Sequence, residues 1–193
     1  DRPKTFRRLF GDGSFKAAFI PSYSKELVKG KKKSKTFANN VFNILAIFLI
    51  ALVILIELFM PFFVSLIAPG FKSDPEKFVL ATQLTKITFP FILFVSLASF
   101  FSAILNSHNR FAAASAAPII LNILMIGVLF FWKILDDKLV IYLSYSVSIA
   151  GFLQAIFLVI FVKIYFKPKF EINFTITKQI KIFFKKLLPS IFS

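Results

Sequence analysis

The chain of 193 residues has no cysteine, a single histidine and only nine acidic residues. Without cysteine it has neither disulfides nor thiolate metal ligands, and one histidine is too few for a metal cluster or a nucleophile–histidine pair. GxGxxG, Walker A, HExxH and GxSxG patterns are also missing. We therefore predict no metal ion, no cofactor, no catalytic residue and no enzymatic activity. His108 is interpreted as a loop or interface residue between two helices.

Long apolar runs fill most of the chain, which has a mean hydropathy of +0.80, 58% hydrophobic residues and 29 phenylalanines. Four runs, at about 38–68, 78–105, 111–132 and 139–166, reach the roughly 20 residues that a helix needs to cross a bilayer. Further helical patterns lie at about 3–27 and 177–193. The sequence predicts an all-α polytopic membrane protein with about five to six transmembrane helices and no soluble domain.

The positive charge is unevenly distributed along the chain, whose formal net charge is +15 at pH 7. If the chain crosses the membrane at each run, the gaps on one side hold 14 basic and 2 acidic residues. The gaps on the other side hold 4 basic and 4 acidic residues. By the positive-inside rule the lysine-rich gaps face the cytoplasm. Because these charges flank membrane spans, we do not expect a nucleic-acid partner.

The first segment, 3–27, places charged and small residues on shared helical faces. One face carries an arginine followed by small residues at helical spacing: Arg7, Gly11, Ser14 and Ala18. Opposite charges follow one another every four residues beside it: Arg8, Asp12 and Lys16. Charges facing lipid cost at least ~2.5 kcal/mol each, so we expect this side to face an aqueous cavity. An amphipathic helix lying on the membrane is the alternative. Pro21 should bend or break the helix.

Two charged residues lie inside the predicted spans. Glu57 is near the outer end of run 38–68, where a snorkelling or hydrogen-bonded carboxylate and an ion or proton site are both open. Lys86 lies in a polar stretch before Pro90, a proline that should kink its helix. Lys86 either snorkels outward or faces a hydrated, anion-binding position. The small residues that follow predict close helix packing: Ser96, Ala98, Ser99, Ser102 and Ala103.

Five segments are informative in combination and in their order along the chain. They are FRRLFGDGSFKAAFIPSYS (6–24), APGF (68–71), LTKITFPFI (84–92), SLASFFSAILNSHNRF (96–111) and APIILN (117–122). Together they resemble the MurJ (MviN) family of bacterial lipid II flippases. The resemblance implies a transporter of about fourteen helices in two bundles. We expect the chain to be an internal piece of such a protein, part of its N-terminal bundle, with helices at the six ranges given above.

The resemblance also implies a substrate site. Arg7 and Arg8 would face a cationic central cavity that receives the pyrophosphate and sugar-peptide headgroup. Asp12 stands where the family has a glutamate, and this shorter carboxylate would help to hold the arginines. Ser14 shares the face of Arg7, and Lys86 matches a basic position of the family's fourth helix. The expected substrate-binding residues are therefore Arg7, Arg8, Asp12, Ser14 and Lys86.

The resulting hypothesis is a flippase that carries lipid II across the bacterial inner membrane by alternating access. Its expected partners are lipid II, membrane lipids and the C-terminal bundle of the same protein. One alternative is a flippase or exporter of another polyprenyl-linked oligosaccharide or of a drug. Another is a membrane enzyme acting on polyprenyl phosphates, although only scattered acidic residues are present. A purely structural scaffold would not require charges such as Arg7, Arg8 and Lys86 inside membrane spans.

Overall fold

The computed structural model describes residues 13–131, 138–171 and 176–192, and the regular elements within these ranges are all helical. The helices are α1 (Ser14–Lys29), α2 (Lys31–Leu58), α3 (Met60–Ile67), α4 (Pro75–Thr88), α5 (Pro90–Ser107), α6 (Phe111–Phe131), α7 (Lys138–Val162) and α8 (Lys178–Phe192). A short 3-10 helix, Pro69–Ser73, links α3 to α4.

Helices α1 and α2 are separated by one residue, Gly30, whose φ of 134° is one that residues with a side chain rarely adopt. The lysine-rich gap expected before residue 38 is therefore helical, and α2 begins at Lys31. Hydropathy detects only the apolar part of a helix, whereas lysine is itself a good helix former. Of the two expected effects of Pro21, a bend or a break, the break is wrong, because the helix continues to Lys29 with the exposed proline inside it.

The predicted run 38–68 is two helices, since α2 ends at Leu58 and α3 starts at Met60. Pro61 lies in the first turn of α3, a position where its missing N–H is not needed. The next helix, α4, begins with Pro75 after Asp74, whose carboxylate accepts a hydrogen bond from the backbone N–H of Lys77 at 3.3 Å. This is an N-cap, and it fixes the start of the helix that carries Lys86.

Helices α4 and α5 meet at Phe89 and Pro90, where the sequence predicted a kink. Phe89 keeps helical dihedral angles, so the chain continues in nearly the same direction instead of turning back. A proline inside a helical stretch leaves backbone carbonyls in the preceding turn without their usual donors. One of them, the carbonyl of Ile87, accepts a hydrogen bond from the hydroxyl of Ser148 on α7. The neighbouring helix thus satisfies a carbonyl at the kink.

Within the described residues, four helical stretches are long and apolar enough to cross a membrane: Lys31–Leu58, Pro75–Ser107, Phe111–Phe130 and Lys138–Val162. Only 6% of the apolar window in α6 is buried in the structure, and its exposed side chains include Ile123, Ile126 and Phe130. Large apolar side chains directed away from the protein are expected where lipid is the solvent. The chain is therefore a multi-pass membrane protein.

The buried core lies at one end of the bundle, where α1, α2, α5, α7 and α8 meet. Its centre is a set of stacked and edge-on rings: Phe15, Phe19, Phe37, Phe42, Phe100, Phe166 and Phe183. The same end carries Lys29, Lys31 and Lys178, each at the terminus of one of these helices. We call it the lysine-rich end. The structure thus brings the predicted lysine-rich gaps together.

Helices α5 and α7 pack against each other. Of the five small residues predicted to pack on α5, Ser96, Ala98, Ser102 and Ala103 are buried and Ser99 is partly buried. On α7, Gly151 is also buried, and a Cβ atom built there would lie 2.6 Å from Cδ2 of Phe91. Glycine therefore lets the ring of Phe91 lie against the backbone of α7.

Candidate functional site

Three of the predicted substrate-binding residues, Arg7, Arg8 and Asp12, lie outside the described residues. The fourth, Ser14, starts α1 directly after Gly13, whose φ is 84°. Ser14 is half-buried and borders the packed side of the helix.

The packed side of α1 differs in one respect from the predicted cavity face. Ala18, expected to face an aqueous cavity with Ser14, is only 5% exposed and belongs to the core. It lies between Phe15 and Ser22 on the side of α1 that contacts α2, α5 and α8. The small side chain of Ala18 allows close packing at this position, because a methyl group leaves room for the neighbouring rings. The helical period alone does not distinguish a small residue that packs from one that lines water.

Lys86, the fifth predicted residue, is exposed on α4. The polar residues around it are occupied locally, since the hydroxyl groups of Thr85 and Thr88 donate to the carbonyls of Ala81 and Leu84 at 2.7 and 2.9 Å. These threonines therefore stabilise their own helix. The ammonium also acts electrostatically on Glu57 of α2.

Glu57 is incompletely satisfied within the part of the chain that the structure describes. Its Oε1 atom is buried and no described residue donates a hydrogen bond to it. A buried carboxylate oxygen without a donor is costly, and a nearby cation offsets part of that cost. The described residues show no ion pair between Glu57 and Lys86, so the ammonium acts on the carboxylate only as a nearby charge. The sequence did not indicate this relationship, because 28 residues separate the two positions.

Ser14 and Lys86 lie at different depths in the bundle. Phe15, next to Ser14, contacts Phe100 with ring centroids 6.3 Å apart. Lys86 precedes Phe100 by 14 residues in the nearly continuous stretch α4–α5, which corresponds to about 20 Å along the helix axis. The structure therefore does not bring these two residues into one compact site. It places Lys86 toward the end opposite the lysine-rich one. Ser14 lies between the two, because α1 runs from Ser14 to Lys29 at the lysine-rich end, about 22 Å along the helix axis.

A cluster that the sequence did not predict joins three segments at the lysine-rich end. The Tyr23 hydroxyl lies 2.8 Å from Nε2 of His108, and the His108 ring stacks on Tyr165 with centroids 3.7 Å apart. Nε of Arg110 donates to the Tyr165 hydroxyl at 3.2 Å. His108 is thus an interface residue, as its interpretation required. Burial lowers its pKa below the usual value of 6.5.

Two asparagines hold the segment after α7 against the start of α2. Oδ1 of Asn39 accepts from the backbone N–H of Lys169 at 3.1 Å, and Oδ1 of Asn43 accepts from that of Glu171 at 2.7 Å. These bonds satisfy backbone donors in a segment without secondary structure. They also fix the chain before α8. Within the described residues no group of three or more His, Cys, Asp or Glu could hold a metal ion.

Comparisons with known proteins agree on one family. A family model described as lipid II flippase MurJ matches residues 2–193. A probable lipid II flippase MurJ of Rickettsia prowazekii is 40% identical over 162 residues, covering 83% of this chain and 32% of the relative. The corresponding protein of Rhizobium tropici is 44% identical over 157 residues, covering 79% of this chain and 30% of the relative. The chain therefore spans about a third of the length of these relatives.

A solved structure is also similar to this chain. It is described as lipid II flippase MurJ in an inward closed conformation, and it superposes with a TM-score of 0.77 at 29% sequence identity. The match covers 98% of this chain and 38% of the solved one. The arrangement of helices described above is therefore that of one part of a longer membrane protein.

Proposed function

Because the chain belongs to the MurJ family of lipid II flippases, we propose that it forms part of the N-terminal bundle of a protein that flips lipid II across the bacterial inner membrane. The observation that carries the proposal is the family match, which extends over residues 2–193. The four candidate spans agree with it, since a flippase must surround its substrate within the bilayer. By the positive-inside rule, the lysine-rich end of the proposed flippase faces the cytoplasm.

The proposed task is to move a polar, anionic headgroup through a hydrocarbon layer while its polyprenyl tail stays in lipid. Arginine suits the diphosphate because its planar fork donates paired hydrogen bonds and keeps its charge at physiological pH. Arg7 and Arg8 would bind the phosphates, and Asp12 would orient the guanidinium groups. Ser14, half-buried at the edge of α1, would add a hydroxyl to the same site.

The different depths of Ser14 and Lys86 suit alternating access. A headgroup held at the start of α1 lies nearer than Lys86 to the lysine-rich end, from which it would enter from the cytoplasm. Lys86, about 20 Å farther along the bundle, would contact the headgroup when the cavity opens to the other side. Flipping of this kind makes and breaks no covalent bond. The residues named here therefore bind and release, and none is proposed as catalytic.

The test replaces Arg7 in the full-length protein. Arg7→Ala should leave membrane abundance near that of the wild type and abolish growth of a strain that depends on this flippase. Arg7→Lys should restore growth only partly, because a single ammonium lacks the paired donors. Lys72→Ala, which removes an exposed charge in the turn between α3 and α4, is the matched control and should support normal growth. Full growth with Arg7→Ala would contradict the proposed site.

A further inference from the structure

A groove of about 550 Å³ lies between the last turns of α1 and the first turns of α8. It is outside the proposed substrate site, because it lies beyond Tyr23 toward the C-terminal end of α1, whereas Ser14 starts that helix. The groove is lined by Ser22, Lys25, Glu26, Val28, Lys29, Lys178, Gln179, Ile182 and Lys186.

The groove carries an excess of positive charge. Four lysines line it and a single carboxylate, Glu26, accompanies them. That carboxylate is buried and already paired, with Oε1 3.1 Å from Nζ of Lys29. Lys25 and Lys178 form no ion pair with a carboxylate of the described residues. Two ammonium groups from different helices are thus available for an anionic ligand.

The same groove exposes apolar surface. Val28 is 89% exposed and Ile182 is 43% exposed, although both lie among lysines. Elsewhere on α8 the apolar side chains Ile180, Phe183 and Leu187 are buried in the aromatic core. One apolar side of α8 is therefore docked on protein, whereas Ile182 remains uncovered beside the charged residues. A ligand that matches this surface must combine negative charge with an apolar part.

The position of the groove places it at the membrane boundary. Val28 is separated by two residues from Lys31, where the candidate span of α2 begins. An amphipathic, lysine-bearing helix such as α8 at this level has the composition of helices that lie in the interface. A lipid in the adjacent leaflet could therefore place its phosphate between the lysines while its chains remain in the bilayer.

We propose that this groove binds the headgroup of an anionic glycerophospholipid from the leaflet at the lysine-rich end. Charge complementarity selects the phosphate, and the exposed Val28 and Ile182 favour a lipid over free phosphate, which would leave them uncovered. The proposal depends on the membrane spans and not on lipid II transport. The bound lipid would join the C-terminal turn of α1 to α8 and hold these two helices in register.

The experiment measures retention of phosphatidylglycerol by the purified full-length protein, using native mass spectrometry across a lipid titration. Lys25→Gln/Lys178→Gln should raise the apparent Kd by roughly thirtyfold, since each lysine near the headgroup contributes about 1 kcal/mol. Lys32→Gln/Lys33→Gln is the matched control, because both lysines are exposed at the same end but do not line the groove. It should leave the Kd within about twofold of wild type. Thermal unfolding of each variant verifies that it is folded.

Several results would overturn the proposal. Equal losses in the two double variants would mean that the charge attracts lipid without a defined site. Equal retention of phosphatidylcholine would show that the phosphate charge is not recognised, and full displacement by inorganic phosphate would identify a soluble anion instead. Displacement by lipid II alone would assign the groove to the substrate path. A growth assay with the same variants is read separately, so that loss of lipid retention and loss of flipping can be distinguished.

Discussion

The hydroxyl of Tyr23 and Nε2 of His108 lie 2.8 Å apart, although 85 residues separate them in the sequence. The bond joins α1 to the link between α5 and α6. The neutral ring accepts the phenolic proton when its own proton is on Nδ1. Tyr165, just after α7, stacks on a face of the same imidazole ring. The imidazole of His108 thus contacts residues of α1 and of the segment after α7 from the link between α5 and α6.

Tyr23→Phe should lower the free energy of unfolding by about 1 kcal/mol, because it removes the hydrogen bond and keeps the buried ring. Thermal unfolding of the full-length protein in detergent measures the effect. Tyr145→Phe is the matched control, since Tyr145 is 52% exposed on α7 and its loss of a hydroxyl should change little. An unchanged Tm for Tyr23→Phe, or an equal decrease in the control, would show that the bond contributes nothing.

The stability of this cluster should depend on pH through His108. Burial lowers the pKa of His108 in the folded protein below 6.5, so the unfolded chain binds the proton more readily. The stabilising contribution is therefore complete above about pH 6.5 and is lost as the pH falls through the lowered value. The adjacent charge of Arg110, which contacts Tyr165, also disfavours a second positive charge there. Tm should fall between pH 7.5 and 5.5 in the wild type and fall less in His108→Gln.

Parallel pH profiles for wild type and His108→Gln would contradict this assignment. The comparison between the two proteins matters because other groups of the full-length protein also titrate in this range. Only the difference between their profiles reports on His108.

Gly151→Ala should destabilise the packing of α5 on α7 by about 1–3 kcal/mol, because the new methyl group meets Phe91 and Phe94 at 2.6 and 3.2 Å. Gly127→Ala on α6 is the matched control, since nothing lies within 4 Å of a Cβ atom there. Alanine is the better helix former, so the control should be neutral or more stable by up to about 1 kcal/mol. The measurement is thermal unfolding of both variants, and a stabilised Gly151→Ala would mean that the helices are farther apart.

The pair of Glu57 and Lys86 offers a test of whether Lys86 contacts substrate. Lys86→Gln removes the cation near the unsatisfied carboxylate and should cost less than about 1 kcal/mol of stability, because Lys86 is exposed and solvent screens its charge. Adding Glu57→Gln removes the buried charge and should restore that stability. If Lys86 binds the headgroup, growth supported by the full-length protein should remain impaired in the double variant. Restored growth together with restored stability would assign Lys86 a structural role only.

Much of the fold could be predicted from local patterns, because a membrane span requires a long apolar stretch wherever it occurs. Hydropathy placed α6 within a residue or two at each end, and Pro90 marked the boundary between α4 and α5. The patterns were less accurate where polar residues are helical. They missed that α2 begins at Lys31, because a run of lysines has low hydropathy and was interpreted as a loop, although lysine favours helix.

The candidate site could be predicted only in part. Ser14 and Lys86 were identified by residue type and by resemblance, but their separation along the bundle depends on which helix each one packs against. Ala18 could not be assigned from the sequence either, because a small side chain suits both a water-lined cavity and a tight helix contact. In the structure Ala18 is buried in a helix contact. Helical spacing predicts which residues share a face of a helix, but it does not predict whether that face contacts another helix, lipid or water.

By itself the sequence determined the membrane-spanning class, the asymmetry of charge between the two ends and the family. These properties depend on runs of consecutive residues, each of which must satisfy the bilayer locally. Only the tertiary structure decided that His108 meets Tyr23, that Ser148 donates to Ile87 at the kink, and that α1 and α8 form a basic groove. Such contacts join distant parts of the chain, and they arise from the packing of whole helices, for which many arrangements share the same hydropathy.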